Sequence, residues 1–171
     1  RGAGVSSNAA LSFGGIVYPG GPGNVGKTEE WNGTNWTAVN DMINTAGDYH
    51  YYKGGGSGES SEAAIAAGNN PYGTAVELWN GTNWSTSTNA SLSYGQYDAQ
   101  MIGTQNDTIK GADPGPYGNA SHYDGTSWAT INNYSDYCSR AGFGTANAAI
   151  YAGGCSPSPS GAEITISEEY N

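Results

Sequence analysis

The sequence predicts an all-β protein made of tandem repeats of about 46 residues, each folding as one small antiparallel sheet. Three observations carry that expectation. An aromatic–turn–tryptophan segment recurs in register, a short aliphatic run recurs ahead of it, and Gly/Pro-rich stretches of variable length lie between the two. Composition agrees with thin sheets. Among 171 residues, 28 Gly and 13 Tyr stand against two Phe and two Met, so small residues and aromatic rings must do the packing.

The aromatic mark first reads Trp31-Asn32-Gly33-Thr34-Asn35-Trp36. It returns as Trp79-Asn80-Gly81-Thr82-Asn83-Trp84 and as Tyr123-Asp124-Gly125-Thr126-Ser127-Trp128, and a fourth copy opens at Glu168-Glu169-Tyr170-Asn171. The aliphatic mark reads Ala9-Ala10-Leu11-Ser12-Phe13-Gly14-Gly15, then Ala63 to Gly68, Asp107 to Gly111 and Ala148 to Gly154. Length varies only between the marks, as at Pro19-Gly20-Gly21-Pro22-Gly23. The marks are therefore strands and the variable pieces surface connections. This divides a single domain into repeats at 1–53, 54–97, 98–139 and an incomplete 140–171. Arg1 stands ten residues before Leu11 as Arg140 stands ten before Ile150, which gives both arginines one phase. Arg1 is also an unusual natural start, so the chain is expected to be processed or a segment of something longer.

Asn-Gly between two short aromatic-bearing runs is a strong hairpin cue, because both turn positions take positive φ in a two-residue loop. With a two-residue loop Trp36 faces Glu29; with a four-residue loop it faces Trp31. Either register puts Trp31 and Trp36 on one sheet face. Trp79 with Trp84 and Tyr123 with Trp128 follow suit, and Tyr170 begins the fourth pair, so these seven residues are assigned to structure. Glu29-Glu30-Trp31 and Val76-Glu77-Leu78-Trp79 alternate as half-buried strands do. The aliphatic run is more continuously apolar and reads as a strand buried on both faces. Glu62 to Ala67 has helical propensity, but its repeat equivalents contain Gly-Gly and Ser-Phe, and strand is preferred.

An aliphatic run closing in Gly-Gly, a variable loop, a strand ending in Tyr or Trp, a turn and a second Trp together resemble the kelch repeat. The resemblance is strongest to the divergent kelch-like arrays of phage and environmental-virus structural proteins, through Ala10-Leu11-Ser12-Phe13-Gly14-Gly15 and Glu29-Glu30-Trp31-Asn32-Gly33-Thr34-Asn35-Trp36. It covers nearly the whole chain and implies β-propeller blades, of which this chain holds about four. A small closed propeller, part of a larger wheel and an open stack are all compatible with that number. Two departures stand out. The Gly-Gly pair is reduced to Gly68 and Gly111 in the middle copies, and Lys110 intrudes on a core-like run.

A net charge of −10 with only five Lys and Arg leaves no cationic cluster for nucleic acid or an anionic membrane surface. No apolar run approaches a membrane span. Catalysis needs unlike groups converging on one point. Glu29, Glu77 and Glu168 instead share one repeat position, which scatters them round a propeller as solvated strand charges. His50 and His122 sit in Tyr-rich contexts without a second ligand at helical spacing. Asp107, Asp113 and Asp124 fit no calcium-loop pattern. Phosphate-loop, nucleophile-elbow and HExxH patterns are missing from the sequence, so neither enzyme activity, cofactor nor metal is expected.

Cys138 and Cys155 fit no zinc set. A disulfide between them suits an oxidising compartment, and two buried thiols are the other reading. Asn32, Asn80, Asn89, Asn106, Asn119 and Asn133 are glycosylation candidates, as are Asn35 and Asn83, although Asn-Gly-Thr is also what the hairpin turn wants. Tyr49, Tyr51, Tyr52, Tyr72, Tyr94, Tyr97, Tyr117, Tyr134 and Tyr137 lie largely outside the repeat marks, in loops or an outer strand, where Tyr builds adaptable binding surfaces. The expected function is a non-enzymatic module on an extracellular or virion surface. It would serve assembly or attachment by binding other copies, other chains or surface glycans. The alternative is a propeller lectin with sugar sites repeated between blades.

Overall fold

The computed structural model describes residues 1–17, 23–44, 55–69, 73–88, 90–92, 100–111, 120–132, 140–155 and 162–171. Those residues form strands, turns and bends, with no helix among them. In the first repeat, β1 (Gly2–Ser6) and β2 (Ala9–Phe13) form a hairpin. A short two-stranded excursion, β3 (Ile16–Val17) and β4 (Gly23–Asn24), precedes β5 (Thr28–Trp31) and β6 (Trp36–Val39). The second repeat holds β7 (Gly55–Ser60), β8 (Ala63–Asn69), β9 (Gly73–Trp79) and β10 (Trp84–Thr86). The third holds β11 (Met101–Gly103), β12 (Thr108–Lys110), β13 (Ser121–Tyr123) and β14 (Trp128–Thr130). The fourth contributes β15 (Ala141–Thr145), β16 (Ala148–Ala152) and β17 (Ser167–Tyr170).

Each repeat is an antiparallel meander, in the orders β1-β2-β5-β6, β7-β8-β9-β10, β11-β12-β13-β14 and β15-β16-β17. The first strands touch in succession, β1 against β7, β7 against β11 and β11 against β15. The four sheets thus follow one another about an axis as the blades of a four-bladed β-propeller arrangement, each with its first strand innermost. The all-β expectation holds, and Ala63 to Asn69 is strand despite its helical propensity.

The core is distributed between blades. Leu11, Phe13 and Met42 of the first meet Ala64, Ala66, Trp79 and Trp84 of the second. Ile65, Ala67 and Val76 of the second meet Met101 and Tyr123 of the third, with Ala90 and Leu92 between them. Ile102 and Ile109 of the third meet Ala149 and Tyr151 of the fourth. Strand alternation explains the division. Side chains at Leu11, Ile65 and Ile109 point to the following blade, and those one residue on point to the preceding one.

Because each inner blade is covered on both sides, β9 is not half-buried as its alternation suggests. Val76 and Trp79 are fully buried and Glu77 nearly so. Only β5, in the first blade, keeps the exposed and partly covered pattern expected of both.

Pairing also corrects the shared phase of Arg1 and Arg140. Gly2 faces Ser12 and Gly142 faces Tyr151, so Gly2 corresponds to Gly142 and Arg1 to Ala141. The one-residue difference is a bulge between Ala3 and Ser6, which the fourth blade lacks.

Candidate functional site

The outer hairpins are the feature most uniformly repeated. Trp31 faces Trp36, Trp79 faces Trp84 and Tyr123 faces Trp128, so the loop has four residues, not two. The ring centroids lie 5.6, 5.5 and 5.2 Å apart, in tilted contact. A polar side chain closes each loop. The Asn32 Oδ1 accepts from the N–H of Thr34 and of Asn35, both at 3.0 Å. Asn80 does the same for Thr82 and Asn83 at 3.0 and 2.8 Å. Asp124 does it for Thr126 and Ser127, both at 2.9 Å. The following glycine takes positive φ, 91° at Gly33, which a larger residue resists. The Asn-Gly signal thus marks an Asx-closed four-residue loop instead of a two-residue turn.

Those two backbone N–H bonds hold the Asp124 carboxyl below its ordinary value. A depressed folded value means stability that is fully present above the unfolded pKa and lost as pH falls through the folded one. Asp124→Asn keeps the loop, since Asn32 and Asn80 already close theirs. The wild type is expected to unfold at slightly higher urea than this variant near neutral pH, and the gap to vanish in acid. Parallel urea midpoints across the acid limb check this, and a gap that persists in acid contradicts it.

The glutamates of the shared repeat position are not uniformly solvated, contrary to expectation. Glu29 is exposed, but Glu77 is buried against the first blade. Its carboxylate accepts from the N–H of Ile43 and of Asn44, each at 2.9 Å, and so holds the segment leaving β6. Glu168 binds Arg140, whose guanidinium also donates to the Tyr151 carbonyl at 2.9 Å. Arg1 donates to the Gly68 carbonyl at 3.1 Å. It lines a small recess between the first two blades with Met42, Asn44 and Glu77, and burial pulls its pKa down to about 10. Lys110 is fully buried, with its ammonium donating to the Gly111 carbonyl at 3.0 Å. A core-like lysine survives there because its head is hydrogen-bonded.

At the rim where β11 turns into β12, His122 Nε2 lies 2.6 Å from Asp107 Oδ1, and Asn147 of the fourth blade donates to Oδ2 at 3.4 Å. Gln105 on the same turn donates to the carbonyls of Ala64 and Trp79, and Glu59 accepts from its backbone N–H. These groups lash the third blade to the second and fourth. Among the described residues no three His, Cys, Asp or Glu gather as metal ligands.

The seven repeat aromatics occupy equivalent strand positions but not equivalent surroundings. Trp79, Trp84 and Tyr123 are buried, Trp128 and Tyr170 partly so, and each packs toward the preceding blade. Trp31 is only partly buried, and Trp36 is 50% exposed. Trp84 Nε1 donates to Thr28 Oγ1 of the preceding blade at 3.0 Å. Trp128 Nε1 has no such partner, because Val76 stands where an acceptor would be. Asn32, Asn80 and Asn106 are exposed, whereas Asn89, Asn119 and Asn133 lie outside the described residues, as do His50, Asp113 and all nine loop tyrosines. Cys155 is disulfide-bonded, and Cys138, the chain's one other cysteine, lies outside the described residues.

One repeated mark escapes a reading led by aromatics. The first strands read Gly2-Ala3-Gly4, Gly56-Ser57-Gly58, Met101-Ile102-Gly103 and Gly142-Phe143-Gly144. At the three contacts the first member, Gly56, Met101 or Gly142, faces the preceding blade and the second, Ala3, Ser57 or Ile102, the following one, and in all four strands the closing glycine abuts backbone at the start of the next strand. Counted back from Leu11, Ile65, Ile109 and Ile150, that glycine falls at seven, seven, six and six residues, because the first two blades carry a bulge that the third and fourth lack.

No protein-family model matches the chain, and no curated protein matches its sequence.

Proposed function

We propose that this propeller is a non-enzymatic display module for attachment or assembly on an extracellular or virion surface. The observation that carries the reading is the outer hairpin, repeated three times with one Asx-closed geometry. It sets exposed Asn, Thr and Ser side chains in a row of equivalent, rigid edges. Repeated hydrogen-bonding edges, charged only at Asp124, suit multivalent contact with a partner's polar surface, where modest single contacts combine into useful avidity. The kelch-like resemblance, and within it that to viral structural arrays, supports the same reading. So does the disulfide at Cys155, which fits an oxidising compartment. The acidic balance argues against nucleic acid as the partner and leaves proteins or neutral glycans. The titratable groups described above are spent on holding loops and blades together, and the reading calls for no cofactor.

A second reading, a lectin, is favoured by the Trp31–Trp36 pair, whose half-exposed indole could stack on a sugar ring. The test is binding of the purified chain to a broad glycan array and to intact cells before and after glycosidase treatment. Cell binding that survives deglycosylation supports attachment to protein. Array signals with several equivalent sites per chain, lost in Trp36→Ser, support the lectin. Binding to neither overturns both.

A further inference from the structure

Three interblade contacts in this chain obey one packing rule, and the first and fourth blades each display half of a fourth. Where a blade offers a large side chain forward, the next blade's first strand carries glycine. Phe13 presses on Gly56, so closely that a Cβ there would lie 2.7 Å from its ring. Ile102 presses in the same way on Gly142. The second blade offers only Ser57 and Ala67 at these positions, and there the third blade answers with Met101 in place of glycine. Beside this knob and hole the aromatics of the later blade close the contact, Trp79 with Trp84, Tyr123 with Trp128, and Tyr170 in the fourth.

The first blade's backward face has the hole and the aromatic pair, with nothing against them among the described residues. Among the described residues a Cβ at Gly2 would meet only its own blade's Leu11 carbonyl, and Trp36 is 50% exposed. The fourth blade's forward face has the knob, and no described residue receives it. Phe143 holds the position of Ile102, opposite the central aliphatic Ile150, and is 59% exposed. Ser167 stands where Thr28 stands in the first blade, and Thr28 is the acceptor for Trp84 Nε1. Knob, hole, aromatic pair and hydroxyl acceptor are all present, on opposite ends of one chain. Since both faces are open together, they do not cover each other.

We propose that the forward face of the fourth blade docks on the backward face of the first blade of a second copy, making head-to-tail a fourth contact of the internal type. Phe143 enters above Gly2, and Trp36 Nε1 donates to Ser167 Oγ. Such a heterologous contact repeats from copy to copy and builds rings or filaments. Glu29 and Glu169 lie on the two apposed faces, and each copy carries a net charge of −10, so salt strengthens the association. This names a partner for the assembly half of the proposed function and rests on that half alone.

Sedimentation velocity over a concentration series, at low and high salt, tests it. The wild type is expected to grow in mass with concentration, more so at high salt. Phe143→Ser and Trp36→Ser alter exposed side chains and so leave the fold intact; each alone is expected to associate at least tenfold more weakly. Phe143→Ser keeps the receiving face and Trp36→Ser keeps the knob, so an equimolar mixture is expected to form a 1:1 dimer and stop there. A wild type that stays monomeric throughout overturns the proposal. So do single variants that associate as the wild type does, or a mixture that stays monomeric while the wild type assembles. Surface binding measured with monomeric Phe143→Ser reports attachment separately, so a failure there leaves these outcomes unchanged.

Discussion

Trp79→Ala is expected to destabilise the protein by about 3–5 kcal/mol, the usual cost of truncating a buried large aromatic. Trp79 has no exposed surface and packs in the cluster that joins the first two blades. Its Nε1 donates to the Ser61 carbonyl at 2.8 Å, and its ring touches Trp84. Truncation therefore opens a cavity between sheets and orphans a buried carbonyl together. The matched control is Trp31→Ala. Trp31 begins the same six-residue segment, makes the same bond to the Ser7 carbonyl at 2.8 Å and touches Trp36 in the same way. It differs in being only partly buried, with no other blade against it among the described residues, so its loss is expected to cost roughly 1–2 kcal/mol, mostly the local pair and hydrogen bond. Urea midpoints followed by far-UV circular dichroism, at concentrations dilute enough to keep single chains, measure both. Equal shifts for the two variants would show that stability resides within hairpins and not between blades.

That contrast also shows how far the fold was legible. Hairpin position, strand pairing and face-sharing of the aromatic pairs are local matters, written in Asn-Gly-Thr and in two-residue alternation. Burial is not local. Identical segments at Trp31 and Trp79 differ in exposure because one has a neighbour, and no pattern within the segment records that. Glu77 follows the same logic: it reads as a strand charge, yet the preceding blade's exit segment brings two N–H groups onto it. The one-residue bulge after Ala3 offset the count that equated Arg1 with Arg140, since counting along a chain cannot see an unpaired residue. The glycine rhythm of the first strands is hidden in the same way, since the bulge in the first two blades shifts its closing glycine by one residue and Met101 replaces the opening glycine in the third. The candidate surface was least legible. Its aromatic half is written in Trp31 and Trp36, and Phe143 stands seven residues before Ile150 as Ile102 does before Ile109, but that Phe143 is open and Ile102 buried is decided by neighbouring blades.

The rhythm supplies the second large effect. Gly103→Ala is expected to cost roughly 2–4 kcal/mol, combining backbone strain with overpacking. Its φ is +132°, which L-residues seldom adopt, and an added Cβ would overlap the Asp107 carbonyl oxygen, a backbone atom in the paired strand turn. Relief requires β11 to move from β12. The residues beside it, Met101 and Ile102, pack into two different clusters, one toward the second blade and one toward the fourth. Strain at this site therefore loosens two interfaces at once, and the Asp107–His122 contact with them. Gly15→Ala separates the two terms. Gly15 has φ of +141°, but among the described residues a Cβ there would meet nothing nearer than Val25 Cγ2 at 4.0 Å. It is expected to cost about 1 kcal/mol from strain alone. Urea midpoints give the difference, and amide exchange at Ile109 and Tyr151 shows where it acts. Faster exchange at both positions in Gly103→Ala, but at neither in Gly15→Ala, is the expected pattern. Equal destabilisation by the two substitutions would mean that the tight approach of β11 to its partner strand does not hold the blades in place.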